Sequence, residues 1–167
     1  MDVWIGENYE RSTNRLLVLG ESWYGDIEPL AAYVPRWAHG AINDSMFSRL
    51  FNAASGLHTA GATYAQRLAW WNGIAFYNFV PGTVGTTRRD RPSRSAFAAA
   101  RTSLTTTLDR LSPKGVWIIG KGQAEYSADV VRQFGAACEV TAHTASYGLS
   151  SVALAASWAN LIQKVRM

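Results

Sequence analysis

Short apolar stretches alternate along this chain with segments of helical periodicity. The first, residues 16–19, is four consecutive aliphatic residues closed by Gly20, a pattern typical of a strand buried on both faces of a parallel sheet. Alternating strands and helices predict a sheet that is covered by helices on both sides. We therefore expect an α/β fold, a three-layer sandwich around a central, mostly parallel four-stranded sheet. The predicted strands are residues 16–19, 73–81, 115–120 and 138–142.

Helices are predicted between these strands from apolar spacing and capping residues. Asp44 is suited to cap a helix that Gly56 ends. Residues 27–43 contain two prolines and no clear periodicity, so we expect an irregular functional loop there. Residues 1–14 carry no readable motif. The other predicted helices follow Ser93 or span residues 62–71, 123–134 and about 150–164.

Size and composition predict one compact domain, residues 1–167. At 48% hydrophobic and 17% charged residues, the 167-residue chain can bury a core. No apolar run approaches a membrane span and the first residues lack the pattern of a secretory signal, so a cytoplasmic location is expected. Cys138 is the single cysteine and the three histidines are widely spaced, which argues against a disulfide framework or a local metal site. No metal or other cofactor is predicted.

Positive charge is concentrated in one stretch of the chain. The net charge of +4 favours anionic partners only weakly. Such a stretch is either a solvated basic loop or, if the chain binds nucleic acid, the place for phosphate contacts. The clustered arginines are Arg88, Arg89, Arg91, Arg94 and Arg101, with Asp90 opposing them.

Polar side chains follow or end three of the predicted strands. Glu21 to Asp26 follow the first strand, Asn78 lies near the end of the second, and His143 follows the fourth. Right-handed crossovers bring the carboxyl ends of parallel strands to one edge of a sheet, where ligands bind. We therefore expect these groups to converge on one pocket. Ordinary strand exits, with solvated polar groups and aromatic residues that cover the core, would produce the same local pattern.

The order and strand context of these groups resemble the uracil-DNA glycosylase superfamily. The matching motifs are Gly20-Glu21-Ser22-Trp23-Tyr24 after the first strand, Phe76-Tyr77-Asn78-Phe79 on a middle strand, and His143-Thr144-Ala145-Ser146 after a late strand. The resemblance implies a monomeric hydrolase that flips uracil out of DNA and removes it, which leaves an abasic site and initiates base excision repair. The single cysteine excludes the iron–sulfur branches, so the resemblance implies a member without cofactor.

Substrate recognition is assigned by the resemblance to residues on the first two motifs. Asn78 would offer its amide to the polar edge of a flipped uracil, and Tyr24 would block the 5-methyl group of thymine. Phe76 belongs to the same substrate-binding set. Trp23 stands where the family often has proline. The candidates for stacking on the base are Trp23, Tyr33 and Trp37.

Catalytic roles follow from the same resemblance. His143 would donate a hydrogen bond to uracil O2 as negative charge develops on the departing base. Ser22 occupies the position at which the best-known branch has a water-activating aspartate, and an unperturbed serine hydroxyl is a poor general base. Glu21 and Asp26 are the nearby carboxylates that could orient water or stabilise the sugar cation.

Contacts with the DNA backbone are assigned to the last motif and to the basic stretch. Ser146 matches the family serine that contacts a phosphate, although His-Thr-Ala-Ser is one residue longer than the family's His-Pro-Ser. An apolar wedge that helps extrude the base would be Leu149 or Tyr147. The further candidates for phosphate contacts are Arg88, Arg89 and Arg91.

Two other functions fit parts of the same pattern. Leu19-Gly20-Glu21-Ser22 resembles the opening motif of SGNH esterases, in which Ser22 would be the nucleophile, His143 its base and Asn78 an oxyanion donor. Val140 stands where that family has an aspartate. A non-catalytic reader of uracil-containing DNA needs the same pocket as a glycosylase, and one asparagine could also pair with hypoxanthine or xanthine.

Overall fold

The sheet of this protein has five strands in the part of the chain that its computed structural model describes, residues 2–25, 28–87, 90–144, 146 and 148–167. Their spatial order is β1-β3-β2-β4-β5. Three of the four strand pairings are parallel, and the fourth, between β1 at the edge and β3, is antiparallel. The strands are β1 (Val3–Ile5), β2 (Leu16–Gly20), β3 (Ile74–Asn78), β4 (Gly115–Ile119) and β5 (Ala137–Thr141).

The expectation of an α/β sandwich is confirmed, but four strands is one too few. The missed strand, β1, is three residues long and pairs Val3 with Tyr77 and Ile5 with Ala75. All three of its residues are only partly buried. A short, half-exposed edge strand has neither the length nor the alternation that marks a strand in a sequence.

Helices cover both faces of the sheet. Those predicted from periodicity are found within a few residues of their expected bounds. The helices are α1 (Leu30–His39), α2 (Ser45–Ser55), α3 (Tyr64–Asn72), α4 (Arg94–Leu111), α5 (Lys121–Phe134) and α6 (Ser151–Arg166), with a 3₁₀ turn at Thr59–Gly61.

Helix α1 lies where an irregular loop was expected, so that prediction is wrong. The helix contains Pro35 and has no side-chain cap from Pro29, the residue before its first turn. Its cap comes from a distant residue, because the carboxylate of Asp2 accepts a hydrogen bond of 3.1 Å from the backbone N–H of Leu30. A local pattern cannot report such a cap.

Helix α2 begins as its sequence predicts. The carboxylate of Asp44 accepts hydrogen bonds from the backbone N–H groups of Met46, at 2.7 Å, and Phe47, at 3.0 Å. Gly56 ends the helix with a left-handed φ of 72°, which glycine adopts without steric cost. The cap fixes the start of α2 beside the carboxyl edge of the sheet, and this position matters for the site.

The core is divided by the sheet into two layers. Side chains of β2 alternate between them, with Leu17 and Leu19 in the layer under α4 and α5, and Val18 in the layer under the other four helices. The second layer is rich in aromatic rings. Phe47 stacks on Trp71 with ring centroids 4.4 Å apart. No helix of the described residues has the length and hydropathy needed to cross a membrane.

Candidate functional site

The loop after β2 is held as an extension of the sheet. The backbone carbonyls of Gly20 and Glu21 accept hydrogen bonds from Phe79 and Val80, at 2.9 and 3.0 Å, and Trp23 accepts one of 2.8 Å from Val84. These bonds continue the parallel pairing of β2 and β3 beyond both strands. The side chains from Glu21 to Tyr24 are therefore presented by a fixed backbone at the carboxyl edge.

A cavity of about 560 Å³ opens at this edge. Its walls combine aromatic rings with charged groups of both signs. The lining residues belong to the loop after β2, to α1 and α2 with their flanking residues, and to the loops before α4 and after β5. Residues lining it are Ser22, Trp23, Tyr24, Glu28, Tyr33, Arg36, Asp44, Ser45, Met46, Thr86, Arg91, His143 and Thr144. The structure thus brings together the first and last motifs, as their strand positions predicted.

Glu21 is buried and forms an ion pair with an arginine from a distant loop. Its side chain is 7% exposed, and its Oε1 lies 2.8 Å from Nη1 of Arg91. The same Nη1 lies 3.3 Å from the hydroxyl of Tyr24. A buried carboxylate requires such a partner. Arg91, expected at a phosphate, is therefore engaged by two residues of the first motif.

His143 is partly buried and lines both the main cavity and a neighbouring pocket of about 350 Å³, which Glu21, Lys121 and Ser146 also line. Burial lowers the pKa of His143 below its ordinary value of 6.5, Glu21 opposes this shift and Arg91 adds to it. The imidazole is therefore neutral at physiological pH and can donate one N–H to an acceptor while carrying no charge.

Asn78 lies behind Trp23 in an adjoining pocket of about 410 Å³. The two pockets meet at Trp23 and Glu28, which line both. Asn78 is 4% exposed, and its Nδ2 has no hydrogen-bond partner among the described residues. A buried donor without a partner costs free energy, so this amide is suited to a ligand that supplies an acceptor. The structure brings Asn78 next to His143's cavity and not into it.

No protein-family model and no curated protein matches this sequence. The assignment of a function therefore rests on the residues and on their geometry.

The three stacking candidates differ in whether they reach the cavity. Trp23 packs against Tyr33 and Phe76, with ring centroids 5.4 and 6.1 Å away, and both Trp23 and Tyr33 face the main cavity. Phe76 is fully buried beneath Trp23, and Trp37 is 1% exposed in the aromatic core. Of the three stacking candidates, Trp23 and Tyr33 can touch a ligand in the cavity, and Trp37 cannot.

Tyr33 and Asp44 form a pair that the sequence did not reveal. The hydroxyl of Tyr33 donates a hydrogen bond of 2.6 Å to Oδ2 of Asp44, whose other oxygen caps α2. Burial, and then this hydrogen bond, raise the pKa of Tyr33 above its ordinary range. The cap therefore also holds an aromatic wall of the cavity, which no spacing pattern could predict.

Arg49 was missed as well. From α2 its guanidinium donates to the backbone carbonyls of Thr144 and Leu149, which lie on either side of Ser146 in the loop after His143. Both contacts join residues about a hundred positions apart. Arg49 sits on a helix whose apolar face dominates the pattern, so nothing in the sequence marked it.

Several predicted residues lie outside the described part of the chain: Asp26, Arg88, Arg89 and Tyr147. Ser146 lines the smaller pocket beside His143, and Leu149 packs against the aromatic core layer. Ser22 lines the main cavity, but its buried Oγ has no hydrogen-bond partner within the described residues. Those residues also contain no group of three or more His, Cys, Asp or Glu side chains that could hold a metal ion.

Proposed function

We propose that this protein is a cytoplasmic, monomeric DNA glycosylase that hydrolyses the N-glycosidic bond of uracil and so initiates base excision repair. One observation carries the proposal. A buried amide without a partner among the described residues, a neutral histidine and a buried carboxylate line adjoining pockets at one edge of the sheet, and the largest aromatic walls of these pockets include Trp23. These are the groups needed to read a flipped base, to stabilise it as it leaves, and to handle the sugar cation and water.

Base recognition is assigned to Asn78. Its side chain is fixed by close packing, because a Cβ at Gly20 would lie only 2.2 Å from its Oδ1. Its unpaired Nδ2 would donate to a carbonyl oxygen of uracil. The base would lie along the indole of Trp23, which borders both the Asn78 pocket and the main cavity.

In the proposed reaction the bond between the sugar C1′ and uracil N1 breaks, and its electron pair leaves with the base. His143 donates its N–H to uracil O2 and stabilises the negative charge that develops there. The oxygen of a water molecule bonds to C1′, and the proton lost from that water ends on the uracil. The products are free uracil and an abasic deoxyribose.

Glu21 is assigned to the cation and the water, since Ser22 lacks the basicity for this task. The Glu21 carboxylate borders the pocket that His143 and Ser146 also line. Its negative charge would stabilise the oxocarbenium-like sugar and accept a hydrogen bond from the attacking water. The esterase alternative is less favoured, because it requires a hydrogen bond between Ser22 and His143, and the Ser22 hydroxyl makes none with the described residues.

The test is incubation of the purified protein with a labelled oligonucleotide that contains one uracil, opposite guanine, opposite adenine or in a single strand. Alkali then cleaves abasic sites. We expect cleavage by the wild type, and losses of about 100-fold in Asn78→Ala and His143→Gln, as for the removal of one oxyanion donor. His39→Gln is the matched control, because His39 is exposed, stacks on Tyr64 and lines none of these pockets.

Failure to release uracil from any of these substrates would overturn the proposal. A retarded protein–DNA complex without abasic sites would identify a reader, and ester hydrolysis that Ser22→Ala abolishes would identify an esterase. Release of hypoxanthine or xanthine in place of uracil would identify a glycosylase that acts on a different base.

A further inference from the structure

Arg91 is the one basic residue of the arginine-rich stretch that the described structure ties to the first motif. Its Nη1 contacts Oε1 of Glu21 at 2.8 Å and the hydroxyl of Tyr24 at 3.3 Å. The two partners lie 70 and 67 positions away in the sequence. One guanidinium nitrogen therefore joins a buried carboxylate to an aromatic wall of the cavity.

Asp90, the residue before Arg91, is held in place by local hydrogen bonds. The carboxylate of Asp90 accepts hydrogen bonds of 2.8 Å from the backbone N–H groups of Thr86 and Thr87. Gly85 has a φ of +66°, and a Cβ there would lie 2.3 Å from the Asp90 carboxylate. Pro92 is buried on the other side of Arg91. Local hydrogen bonds and close packing thus set the direction from which Arg91 reaches the site.

The ion pair is needed chiefly by Glu21, because the Glu21 side chain is buried and the Arg91 side chain is half exposed. Glu21 is 7% exposed and would be an uncompensated buried charge without Arg91, whereas the Arg91 side chain is 52% exposed. Removing one partner of such a pair is costly because the other charge stays buried. The structural role of Nη1 is therefore to hold Glu21 and Tyr24.

We propose that Arg91 is a positioning residue, which holds the Glu21 carboxylate and the Tyr24 ring in the geometry that excision needs, and that it does not contact a DNA phosphate. The inference rests on the proposed function. It predicts that Arg91 affects turnover through Glu21 and Tyr24, and leaves the affinity for the DNA backbone unchanged.

The pKa of His143 provides a second test, because it depends on the charged groups that face this histidine. Glu21 and Arg91 act on it directly, Lys121 lines the same small pocket from the start of α5, and Tyr24 lines the main cavity. Loss of the Arg91 charge removes an influence that lowers the pKa of His143 and leaves Glu21 uncompensated. The pKa of His143 should therefore rise when Arg91 becomes neutral.

The experiment compares Arg91→Gln and Arg91→Lys with Arg110→Gln. Arg110 is an exposed residue in the last turn of α4, outside the arginine-rich stretch, and it makes no ion pair or side-chain hydrogen bond with the described residues, so it controls for the loss of one positive charge. Three quantities are measured for each variant: kcat on a uracil-containing duplex, the salt dependence of affinity for an undamaged duplex of the same length, and the pKa of His143 by NMR.

We expect kcat to fall on the order of 100-fold in Arg91→Gln, the loss that a misplacement of about 1 Å produces. Arg91→Lys should recover part of it, since lysine keeps the charge that faces Glu21. Arg110→Gln should keep the kcat of the wild type. The salt dependence of duplex binding by Arg91→Gln should equal that of the wild type, and its His143 pKa should be raised.

An unchanged kcat in Arg91→Gln would overturn the inference. So would a salt-dependence slope that drops by about 0.9, the value for one lost phosphate contact. If Arg91→Gln folds poorly, the double variant Glu21→Gln/Arg91→Gln removes the buried charge, and its salt slope still decides whether Arg91 contacts a phosphate. A wild type without excision would refute the proposed function, while the His143 titration would still decide whether Arg91 faces this histidine.

Discussion

Substituting Gly20 by alanine should displace the amide that is proposed to read the base. Gly20 ends β2 and lies opposite Asn78 in the register of the parallel pair. A Cβ at this position would lie 2.2 Å from Oδ1 of Asn78 and 3.0 Å from Cζ of Phe76. The backbone of Gly20 is not in the left-handed region, so alanine requires space there and no unusual conformation.

The size of the effect follows from these distances. Ordinary van der Waals contact begins at 3.4 Å, so the Asn78 amide oxygen must retreat from 2.2 Å by about 1.2 Å. A shift of about 1 Å in a positioning group costs on the order of 100-fold in rate. Overpacking a core costs about 1–3 kcal/mol of stability, which leaves a domain of this size folded.

Chemical denaturation of a double-mutant cycle tests the packing argument without reference to any activity. Gly20→Ala should cost less in the Asn78→Ala background, with a coupling energy of about 1 kcal/mol or more, because the clashing oxygen is then absent. Gly61→Ala is the control, since a Cβ at Gly61 meets nothing within 4 Å. Equal costs of Gly20→Ala in both backgrounds, or full excision activity of this variant, would refute the reasoning.

Three further perturbations test other parts of the site. Arg49→Lys cannot bridge the two carbonyls that Arg49 contacts, so it should cost about 1 kcal/mol and speed hydrogen exchange of the Leu149 amide; unchanged exchange would contradict this. Since the folded-state pKa of His143 lies below 6.5, the unfolded chain takes up its proton first, and stability should fall as the pH drops through this window. Urea denaturation at about pH 7 and about pH 5 should give a smaller difference for His143→Gln than for the wild type. Ser22→Ala removes a buried hydroxyl that has no partner among the described residues, so it should raise the free energy of unfolding by about 1 kcal/mol, and a lowered value would argue against that picture.

Periodicity predicted the parts of the fold that depend on local sequence. The strand at Leu16–Gly20 and the helix that Asp44 caps are found as expected, because aliphatic runs and capping residues act within a few positions. Helix α1 and strand β1 were missed for the same physical reason. The helix is capped by Asp2 from 28 positions away, and the strand exists through its pairing with β3.

The candidate site was predictable to the extent that topology determines it. Glu21 and His143 meet because their strands are parallel and end at one edge, as right-handed crossovers require. The separation of Asn78 from the main cavity was not predictable, since it depends on the position of the Trp23 ring among the rings packed around it. The pairing of Arg91 with Glu21 was not predictable either, because it joins residues 70 positions apart and depends on the contacts of Asp90 with Thr86 and Thr87.

Some polar groups of the site have hydrogen-bond partners within the protein, and others have none among the described residues. Arg91 forms an ion pair with Glu21, and Arg49 donates to two carbonyls of the loop after His143. By contrast, Ser22 Oγ and Asn78 Nδ2 are buried atoms without a partner among the described residues, and the two residues line pockets on either side of Trp23. Each such group costs about 1–3 kcal/mol in the absence of a hydrogen bond. A ligand that hydrogen-bonds to both would recover this free energy, which makes the two sides of Trp23 the place where binding is coupled most directly to stability.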